Sequence, residues 1–275
     1  MSEVLVIGAT GTTGRRVAGF LRERDVPIRL ATRTPGDDDR AQVRFDWADS
    51  ATHVAALRGV SAVYLVAPIG VHESAPLVEP FLKVAVREGV QRVVLLGSSA
   101  VPSGPAGFGA LYDLVRSTMS EWAVLRPSWF MQNFTGQHAA ALGMHGGEIV
   151  TATGEGKVAF IDADDIAAVA GHALIDAVAH NTEHILTGPD ALSYADAAAI
   201  ITEHIGRPVT HRAMSVAEIT VRHIEYGIPA DFAAMLAGLD DDIRVGAEDR
   251  VTDTVETVTG RSPRSFRDFV KAEIR

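Results

Sequence analysis

Three glycines near the start of the chain have a spacing suited to phosphate binding. Gly8, Gly11 and Gly14 follow a short apolar run at residues 3–7 that is typical of a strand, and residues 15–24 then carry apolar side chains at helical spacing. A residue without a Cβ atom lets the chain turn tightly and come close to a pyrophosphate, while the start of the helix directs free N–H groups at the phosphates. The pattern predicts a dinucleotide-binding turn rather than a simple sharp turn. Its predicted contact residues are Gly8, Thr10, Gly11, Thr12, Thr13 and Gly14.

Arg33 stands at the position that decides between two nicotinamide cofactors. It lies about 20 residues beyond the glycine turn, just past a second predicted strand at residues 28–32. An acidic residue there binds the ribose hydroxyl of NAD, whereas an arginine accepts the 2′-phosphate of NADP. Arg33 therefore favours NADP(H) and leaves NAD(H) as the second choice. A solvated arginine is the alternative, and the acidic run at residues 37–39 would compete with a phosphate if it folded back.

Residues that follow the next predicted strands complete the expected cofactor contacts. Asp46 ends a third strand, where it would either accept a hydrogen bond from an adenine amino group or cap a helix. Ala67 and Pro68 follow a fourth, strongly apolar strand, at the edge where ligands bind in open parallel sheets. Ser98 and Pro127 follow the fifth and sixth strands. We expect these last two residues beside the nicotinamide.

The composition limits the possible classes of function. The chain has 275 residues, of which 47% are apolar and 22% charged, and this suits one large α/β domain or one domain with a small lobe. A net charge of −10 argues against general nucleic-acid binding, which requires a basic face. The lack of cysteine excludes disulfides, thiolate catalysis and cysteine-ligated metals. No basic leader or long apolar span is visible, so we expect a cytoplasmic protein.

The order of the predicted elements indicates the fold class. Up to residue 135 strands alternate with helices, which predicts an α/β fold with a Rossmann-type, doubly wound parallel sheet. Beyond that point the alternation weakens and turn signals become frequent. We therefore expect residues 1–135 to form an NAD(P)-binding core. Residues 136–275 are expected to complete the sheet in part and to form a small α+β substrate lobe.

Four segments, at residues 8–14, 125–133, 160–167 and 186–189 with 192–194, are spread over most of the chain. Together they resemble the NmrA-like family of atypical short-chain dehydrogenases/reductases. Within that family the sequence is most similar to the ergot-alkaloid-type reductases of fungi and their bacterial relatives. The resemblance implies a Rossmann domain with a small C-terminal substrate lobe. Because the family also contains quinone reductases and non-catalytic NADP(H) sensors, membership is compatible with an enzyme and with a sensor.

The catalytic pair of short-chain dehydrogenases is altered in this sequence. The usual acid is the tyrosine of a Tyr-x-x-x-Lys motif, assisted by a serine and by a lysine that lowers the tyrosine pKa. The nearest match is Tyr112 with Arg116, together with Ser98. A spacing of four residues puts Tyr112 and Arg116 on one helix face, where Arg116 could stabilise a phenolate but could not carry a proton at neutral pH. The alternative is a half-buried Tyr112 and a solvated Arg116.

A second route to reduction needs no tyrosine. A conjugated or iminium acceptor takes a hydride with little help from an acid, so that the protein supplies orientation and a dry pocket. An aromatic segment after the sixth strand suits that role, and one of its amides could hold a carbonyl group. A core position is the alternative for its phenylalanines. The predicted pocket residues are Trp129, Phe130, Gln132, Asn133 and Phe160.

The sequence predicts an NADPH-dependent reductase for a small or medium-sized, apolar, electron-poor substrate such as an imine, an enone or a quinone. The alternative is a redox sensor that binds NADP(H) and regulates a partner without catalysis. No metal site is predicted, because the acidic residues 162–165 are typical of a first helical turn and those at 240–242 of a solvated turn. No nucleic-acid or membrane partner is expected. A monomer and a homodimer are both compatible with the sequence.

Overall fold

The structure is a computed structural model of the full chain. The residues that it describes are 3–36, 41–68, 70–71 and 73–275. The acidic run at 37–39, expected as a competitor for Arg33, lies outside them.

Eleven strands and eleven helices are assigned within the described residues. The strands are β1 (Glu3–Val6), β2 (Ile28–Thr32), β3 (Gln42–Arg44), β4 (Val60–Val66), β5 (Arg92–Leu96), β6 (Glu121–Pro127), β7 (Glu148–Thr151), β8 (Lys157–Val158), β9 (Thr182–Leu186), β10 (Leu192–Ser193) and β11 (Thr210–Ala213). The helices are α1 (Gly14–Arg22), α2 (Ala51–Leu57), α3 (Ala75–Arg87), α4 (Gly109–Thr118), α5 (Ala139–Gly146), α6 (Ala163–Ile175), α7 (Tyr194–Ile205), α8 (Val216–Glu225), α9 (Ala230–Arg244), α10 (Thr254–Thr259) and α11 (Phe266–Glu273).

The chain divides into two compact units. The first unit comprises Met1–Pro127 and Ala163–Ile185, and the second comprises Ser128–Asp162 and Leu186–Arg275. The chain therefore leaves the first unit at the end of β6, before the expected boundary at residue 135, and returns to it for α6 and β9. The physical reason is that α6 packs on α1 and on the sheet, and that β9 extends the sheet beside β6.

The first unit is built on a seven-stranded sheet with the order β3-β2-β1-β4-β5-β6-β9. The registered pairs from β3 through β6 are parallel, and the α/β Rossmann-type fold predicted from the sequence is confirmed. Because these strands are parallel, their carboxyl ends meet at one edge. The chain order reverses between β1 and β4, so this edge has its switch point beside β1.

Burial on both faces explains why the central strands are so apolar. In β4 the side chains from Ala62 to Leu65 are all buried, and β5 is buried from Arg92 to Leu95. Helices α2, α3 and α4 form one packed row, while α1 and α6 pack against each other. A Cβ atom on Gly171 of α6 would come within 2.1 Å of the Phe20 ring of α1, so these two helices meet at a glycine.

The second unit contains two small sheets and a core of aromatic side chains. Strands β7 and β11 pair in parallel, and β8 pairs with β10 in antiparallel fashion. The ring of Phe160 is 1% exposed and lies 5.3 Å from the Phe134 ring, 5.3 Å from the Tyr194 ring and 5.5 Å from the Phe266 ring, measured between centroids. This cluster supplies the apolar burial that the two short sheets cannot provide by themselves.

Candidate cofactor site

The glycine turn after β1 brings α1 unusually close to the strand. A Cβ atom on Gly14 would lie 2.1 Å from the carbonyl oxygen of Gly8, which excludes any side chain at residue 14. Gly8 has φ +72°, in the region that favours glycine. The N–H of Gly11 donates to the carbonyl oxygen of Gly8 at 2.9 Å and so closes the turn. Thr10 and Gly11 are exposed, whereas Thr13 is buried. The loop therefore offers an open backbone surface at the start of a helix, as a pyrophosphate requires.

Arg16 fixes the first turn of α1 from outside the loop. Its Nη1 donates to the carbonyl oxygen of Thr12 at 2.9 Å, and its Nε donates to the carboxylate of Asp164 at 2.6 Å. Asp164 lies in the first turn of α6 and is otherwise exposed. This pair ties the glycine turn to a second helix and so holds the backbone in one conformation.

The remaining predicted cofactor residues lie at the same edge of the sheet. Arg33 follows β2, Ala67 and Pro68 follow β4, Ser98 follows β5, and Pro127 ends β6. Arg33 is exposed, and in the described part of the chain no carboxylate pairs with its guanidinium. Its contact with a 2′-phosphate stays a prediction.

Asp46 also lies at this edge, but not as a helix cap. Its Oδ1 accepts the N–H of Ala48 at 3.0 Å, while the cap position of α2 is occupied by Ser50. The capping alternative for Asp46 is therefore wrong, because the chain makes a short turn between β3 and α2. The contact with an adenine stays a prediction.

Tyr112 is held by the backbone of the loop after β5. The ring is 1% exposed, and its hydroxyl lies 2.9 Å from the N–H of Ser98, which donates to it, and 3.3 Å from the carbonyl oxygen of Ser98. Burial raises the pKa of Tyr112 above its ordinary value. A Cβ atom on Gly97 would be 2.6 Å from the hydroxyl oxygen, so glycine is needed there to admit the ring.

The predicted partner Arg116 points elsewhere. Its guanidinium donates to the carboxylate of Asp113 at 2.7 Å, and the side chain is exposed. The structure therefore brings Tyr112 and Ser98 together, through the Ser98 backbone, and leaves Arg116 out of the group. The roles of the three residues in catalysis stay predictions.

Arg126 is the cation that accompanies Tyr112, and the sequence reasoning missed it. Its guanidinium carbon lies 5.8 Å from the Tyr112 ring centroid, and it donates to the carbonyl oxygens of Ser98 and Ser99 at 3.3 Å each. A 2.8 Å ion pair with Glu183 on β9 completes its contacts. The sequence shows an arginine near the end of a predicted strand. Only the pairing of β6 with β9 shows that its partner is Glu183.

The predicted pocket residues all belong to the second unit. Trp129, Phe130 and Asn133 are half-buried. The amide of Gln132 donates to the buried carboxylate of Asp162 at 2.9 Å, so that this amide already has a protein partner.

Phe160, the fifth predicted pocket residue, lies in the aromatic core of the second unit. Contact with a substrate stays a prediction for all five residues.

The acidic residues do not form a metal centre in the described structure. Asp162 is paired with Arg264 at 2.8 Å, Asp164 with Arg16, and Asp165 is buried in α6. Among the described residues no group of histidines and carboxylates has the arrangement of a metal site. Likewise, none of the described helices combines the length and the apolar character needed to cross a membrane.

Comparison with known proteins decides the family. A family model described as NAD(P)H-binding matches residues 8–177, from the glycine turn to the loop after α6. The chain belongs to this NAD(P)H-binding family. The glycine turn, the exposed loop backbone and the open carboxyl edge of the sheet fit the cofactor that defines the family.

Two relatives indicate the class of enzyme, and one solved structure shares the fold. The chain is 49% identical over 271 residues to the uncharacterized oxidoreductase YesF of Bacillus subtilis, covering 98% of this chain and 94% of that protein. It is 36% identical to festuclavine synthase I of Penicillium roqueforti, covering 98% of each chain. The solved NADPH complex of a quinone oxidoreductase from Escherichia coli shares the fold, with a TM-score of 0.84 at 24% identity over 97% of this chain and 98% of that one.

These comparisons confirm the expected resemblance to NmrA-like reductases and the expected NAD(P)H cofactor. The protein is an NAD(P)H-dependent oxidoreductase.

Replacing Gly14 by alanine tests the glycine turn of this NAD(P)H-binding protein. The added Cβ must displace the Gly8 carbonyl, because the two would otherwise be 2.1 Å apart. We expect Gly14→Ala to weaken NADPH binding by at least about tenfold in calorimetry and to lower the unfolding free energy by about 1–3 kcal/mol. Gly19→Ala is the matched control, since a Cβ on Gly19 of the same helix meets nothing within 4 Å. Equal affinity in both variants would contradict the assignment.

Replacing Tyr112 by phenylalanine separates a structural role from an acid role. Loss of the hydroxyl leaves the Ser98 N–H without its acceptor, so we expect the unfolding free energy to fall by about 1–3 kcal/mol. Because the hydroxyl is held by the backbone, we expect kcat to fall by less than about tenfold, whereas loss of a general acid costs roughly 100-fold or more. Denaturation and steady-state kinetics measure the two effects. Tyr226→Phe, at an exposed tyrosine, is the control.

Proposed function

We propose that the protein is an NADPH-dependent reductase of small or medium-sized, apolar, electron-poor compounds, namely imines or iminium ions, enones or quinones. The observation that carries the proposal is the carboxyl edge of the sheet, where the glycine turn and an exposed arginine, Arg33, follow adjacent strands. The names of the relatives point the same way, since they include a festuclavine synthase, an agroclavine dehydrogenase and an NAD(P)H azoreductase.

Arg33 supports NADPH over NADH. An exposed guanidinium is a strong ligand for the 2′-phosphate, because it binds phosphate oxygens with two parallel hydrogen bonds. NAD specificity would require an acidic side chain at the end of β2. The residue at that position is Arg33. The cofactor preference therefore depends on a single side chain at the end of β2.

In the proposed reaction the chain's own residues bind the cofactor, hold the loop after β5 and contact the substrate. Bound NADPH supplies the hydride. The glycine turn holds the phosphates, and the Tyr112–Ser98–Arg126 network fixes the loop after β5 in one conformation. The half-buried aromatic side chains Trp129 and Phe130 of the second unit are the proposed apolar contacts of the substrate. Reduction by this arrangement suits an acceptor that is already electron-poor, because the Tyr112 hydroxyl is already hydrogen-bonded to the backbone of Ser98.

Arg33→Ala tests the cofactor assignment. Removing the guanidinium should weaken NADPH binding by about 1.5–3 kcal/mol, the range of a hydrogen bond to a charged group, and should leave NADH binding unchanged. Titration calorimetry with both nucleotides measures this. Arg58→Ala is the matched control, because Arg58 is also exposed but precedes β4 at the opposite edge of the sheet. Equal loss of NADPH and NADH affinity would show that Arg33 does not select the cofactor.

The substrate class is tested by NADPH oxidation with one representative acceptor of each kind. We expect turnover with menadione, cyclohexenone or dihydroisoquinoline, at a rate that depends on the acceptor concentration. Gly14→Ala serves as a control at NADPH concentrations below saturation, where its weaker NADPH binding should lower the rate, and an assay without protein gives the background. Micromolar binding of NADPH without oxidation by any acceptor would instead support the sensor function, and binding of neither nucleotide would contradict both.

A further inference from the structure

A chain of hydrogen-bonded histidines in the first unit has no role in the function described so far. The histidine cluster consists of His172 on α6, Asp176 just beyond that helix, His180 in the following loop and His184 on β9. It therefore connects the end of α6 to β9, the strand that extends the sheet beside β6.

The distances within the cluster define one continuous path. The Asp176 carboxylate lies 3.2 Å from the Nδ1 of His172 through one oxygen and 3.2 Å from the Nε2 of His180 through the other. The Nδ1 of His180 lies 2.8 Å from the Nε2 of His184. These two rings are 5.0 Å apart between centroids and inclined at 81°, so that their nitrogen atoms meet edge to edge.

The carboxylate at one end determines where the protons lie when the histidines are neutral. An ionised carboxylate only accepts hydrogen bonds, so the Nε2 of His180 carries the proton that it donates to Asp176. The Nδ1 of a neutral His180 is then an acceptor, and His184 donates its Nε2–H to it. Every contact of this state joins one donor to one acceptor.

The cluster can take up one proton without losing a hydrogen bond. When His180 is an imidazolium, its Nε2–H donates to Asp176 and its Nδ1–H donates to the Nε2 of His184. The proton of the neutral His184 ring then lies on Nδ1. The charged His180 ring is stabilised by the adjacent carboxylate, and the position of the His184 proton reports which state is present.

A second proton on the two facing rings is not compatible with the observed contact. With His180 and His184 both charged, two N–H groups would face each other across 2.8 Å, and two positive rings would repel. In agreement with this geometry, burial and, to a smaller extent, His180 lower the pKa of His184 from its usual 6.5 to about 4.

The charged groups on the neighbouring strands are already paired. Arg92 on β5 donates to the carbonyl oxygen of Asp176 at 2.7 Å and forms a 2.7 Å ion pair with Glu121 on β6. On β9 itself, Glu183 forms a 2.8 Å ion pair with Arg126 of β6. These pairs do not use a ring nitrogen of the cluster.

The neighbouring groups on the side of α1 leave the cluster open to protons. The His172 ring meets the Phe20 ring edge to face at 5.5 Å, and the Arg24 guanidinium lies over the other contact partner, Phe20, at 3.5 Å. A cavity of about 480 Å³ at the amino ends of β1, β4, β5 and β6 is lined by Asp176 together with Arg24 and Asp25. Solvent therefore reaches the carboxylate from the edge of the sheet opposite the glycine turn.

We infer that the histidine cluster is a pH-sensitive contact, which holds β9 on the end of α6 while at most one of its two facing histidines is charged and is lost when both are. In the described sheet β9 is an outer strand with β6 as its one neighbouring strand, so a contact with α6 adds to its attachment. The inference concerns the first unit alone and does not depend on which compound the protein reduces.

Loss of the contact would affect the loop after β5. Glu183, the residue before His184, accepts hydrogen bonds from Ser103 of that loop at 2.6 Å and from Arg126 at 2.8 Å. When β9 loosens, both bonds lose their fixed acceptor. The inferred result of acidification is therefore a more mobile β9 together with a more mobile loop at residues 98–103.

NMR of the histidine side chains tests the order of protonation in the unaltered protein. Long-range proton–nitrogen spectra between pH 8 and pH 4 distinguish the two tautomers of each ring and its charged form. We expect the His184 proton to lie on Nε2 at neutral pH, to move to Nδ1 as His180 becomes charged, and to be joined by a second proton only near pH 4. Simultaneous protonation of both rings near pH 6.5, with no change of tautomer, would overturn the inference.

His184→Gln tests whether the second proton loosens β9. The glutamine amide supplies an N–H for the Nδ1 of His180 but takes up no proton. Because an open His184 binds a proton more tightly than the packed one, acid favours opening in the unaltered protein and not in the variant. At pH 4.5 we expect backbone hydrogen exchange in β9 to be at least about tenfold slower in the variant, with equal rates at pH 7.

Both proteins are compared at the same pH, so that the intrinsic pH dependence of exchange cancels. His145→Gln is the matched control, because His145 is an exposed histidine of α5, and it should exchange like the unaltered protein at both pH values. Retained NADPH binding at pH 7 shows that each variant is folded. Equal exchange of β9 in the unaltered protein and in His184→Gln at pH 4.5 would contradict the inference, whatever the outcome of assays for reduction.

Discussion

The contact between the end of β1 and the start of α1 is the constraint on which the cofactor site depends. Only a glycine at residue 14 lets the helix approach the Gly8 carbonyl, and the +72° φ of Gly8 turns the chain out of the strand. The first turn of α1 consequently lies against the end of β1, and the loop before it is exposed at Thr10 and Gly11. The same missing side chains allow this close packing and, in the proposed site, the approach of the phosphates.

The parallel sheet brings separate loops together. Every strand from β1 to β6 ends at the same edge, so residues that are far apart in sequence lie near one another there. The loops at this edge must also be held in one conformation. The buried hydroxyl of Tyr112 and the guanidinium of Arg126 do this by bonding the backbone of Ser98 and Ser99. The hydroxyl of Tyr112, which the sequence offers as a catalytic acid, thus also holds the loop after β5, and its role in catalysis stays a prediction.

The second unit shows the opposite use of burial. Its aromatic core is apolar, yet α9 brings the Asp240 carboxyl to the Ala152 N–H, which donates to it at 2.8 Å. Residues 240–242 were expected to lie in a solvated turn, and this was wrong, because they belong to α9. Burial raises the pKa of the Asp240 carboxyl to about 6, because the removal of water disfavours its ionised form.

The sequence by itself determined the features that depend on local spacing: the glycine turn, the strand–helix alternation, the Rossmann-type sheet and the NAD(P)H cofactor. These are encoded within short windows, because a missing Cβ or an apolar run acts on its immediate neighbours. The tertiary structure alone decided the unit boundary, the pairing of Arg116 with Asp113 and the inward position of Asp240. Each depends on which distant segment packs alongside, and the charge or aromaticity of a residue does not specify its partner.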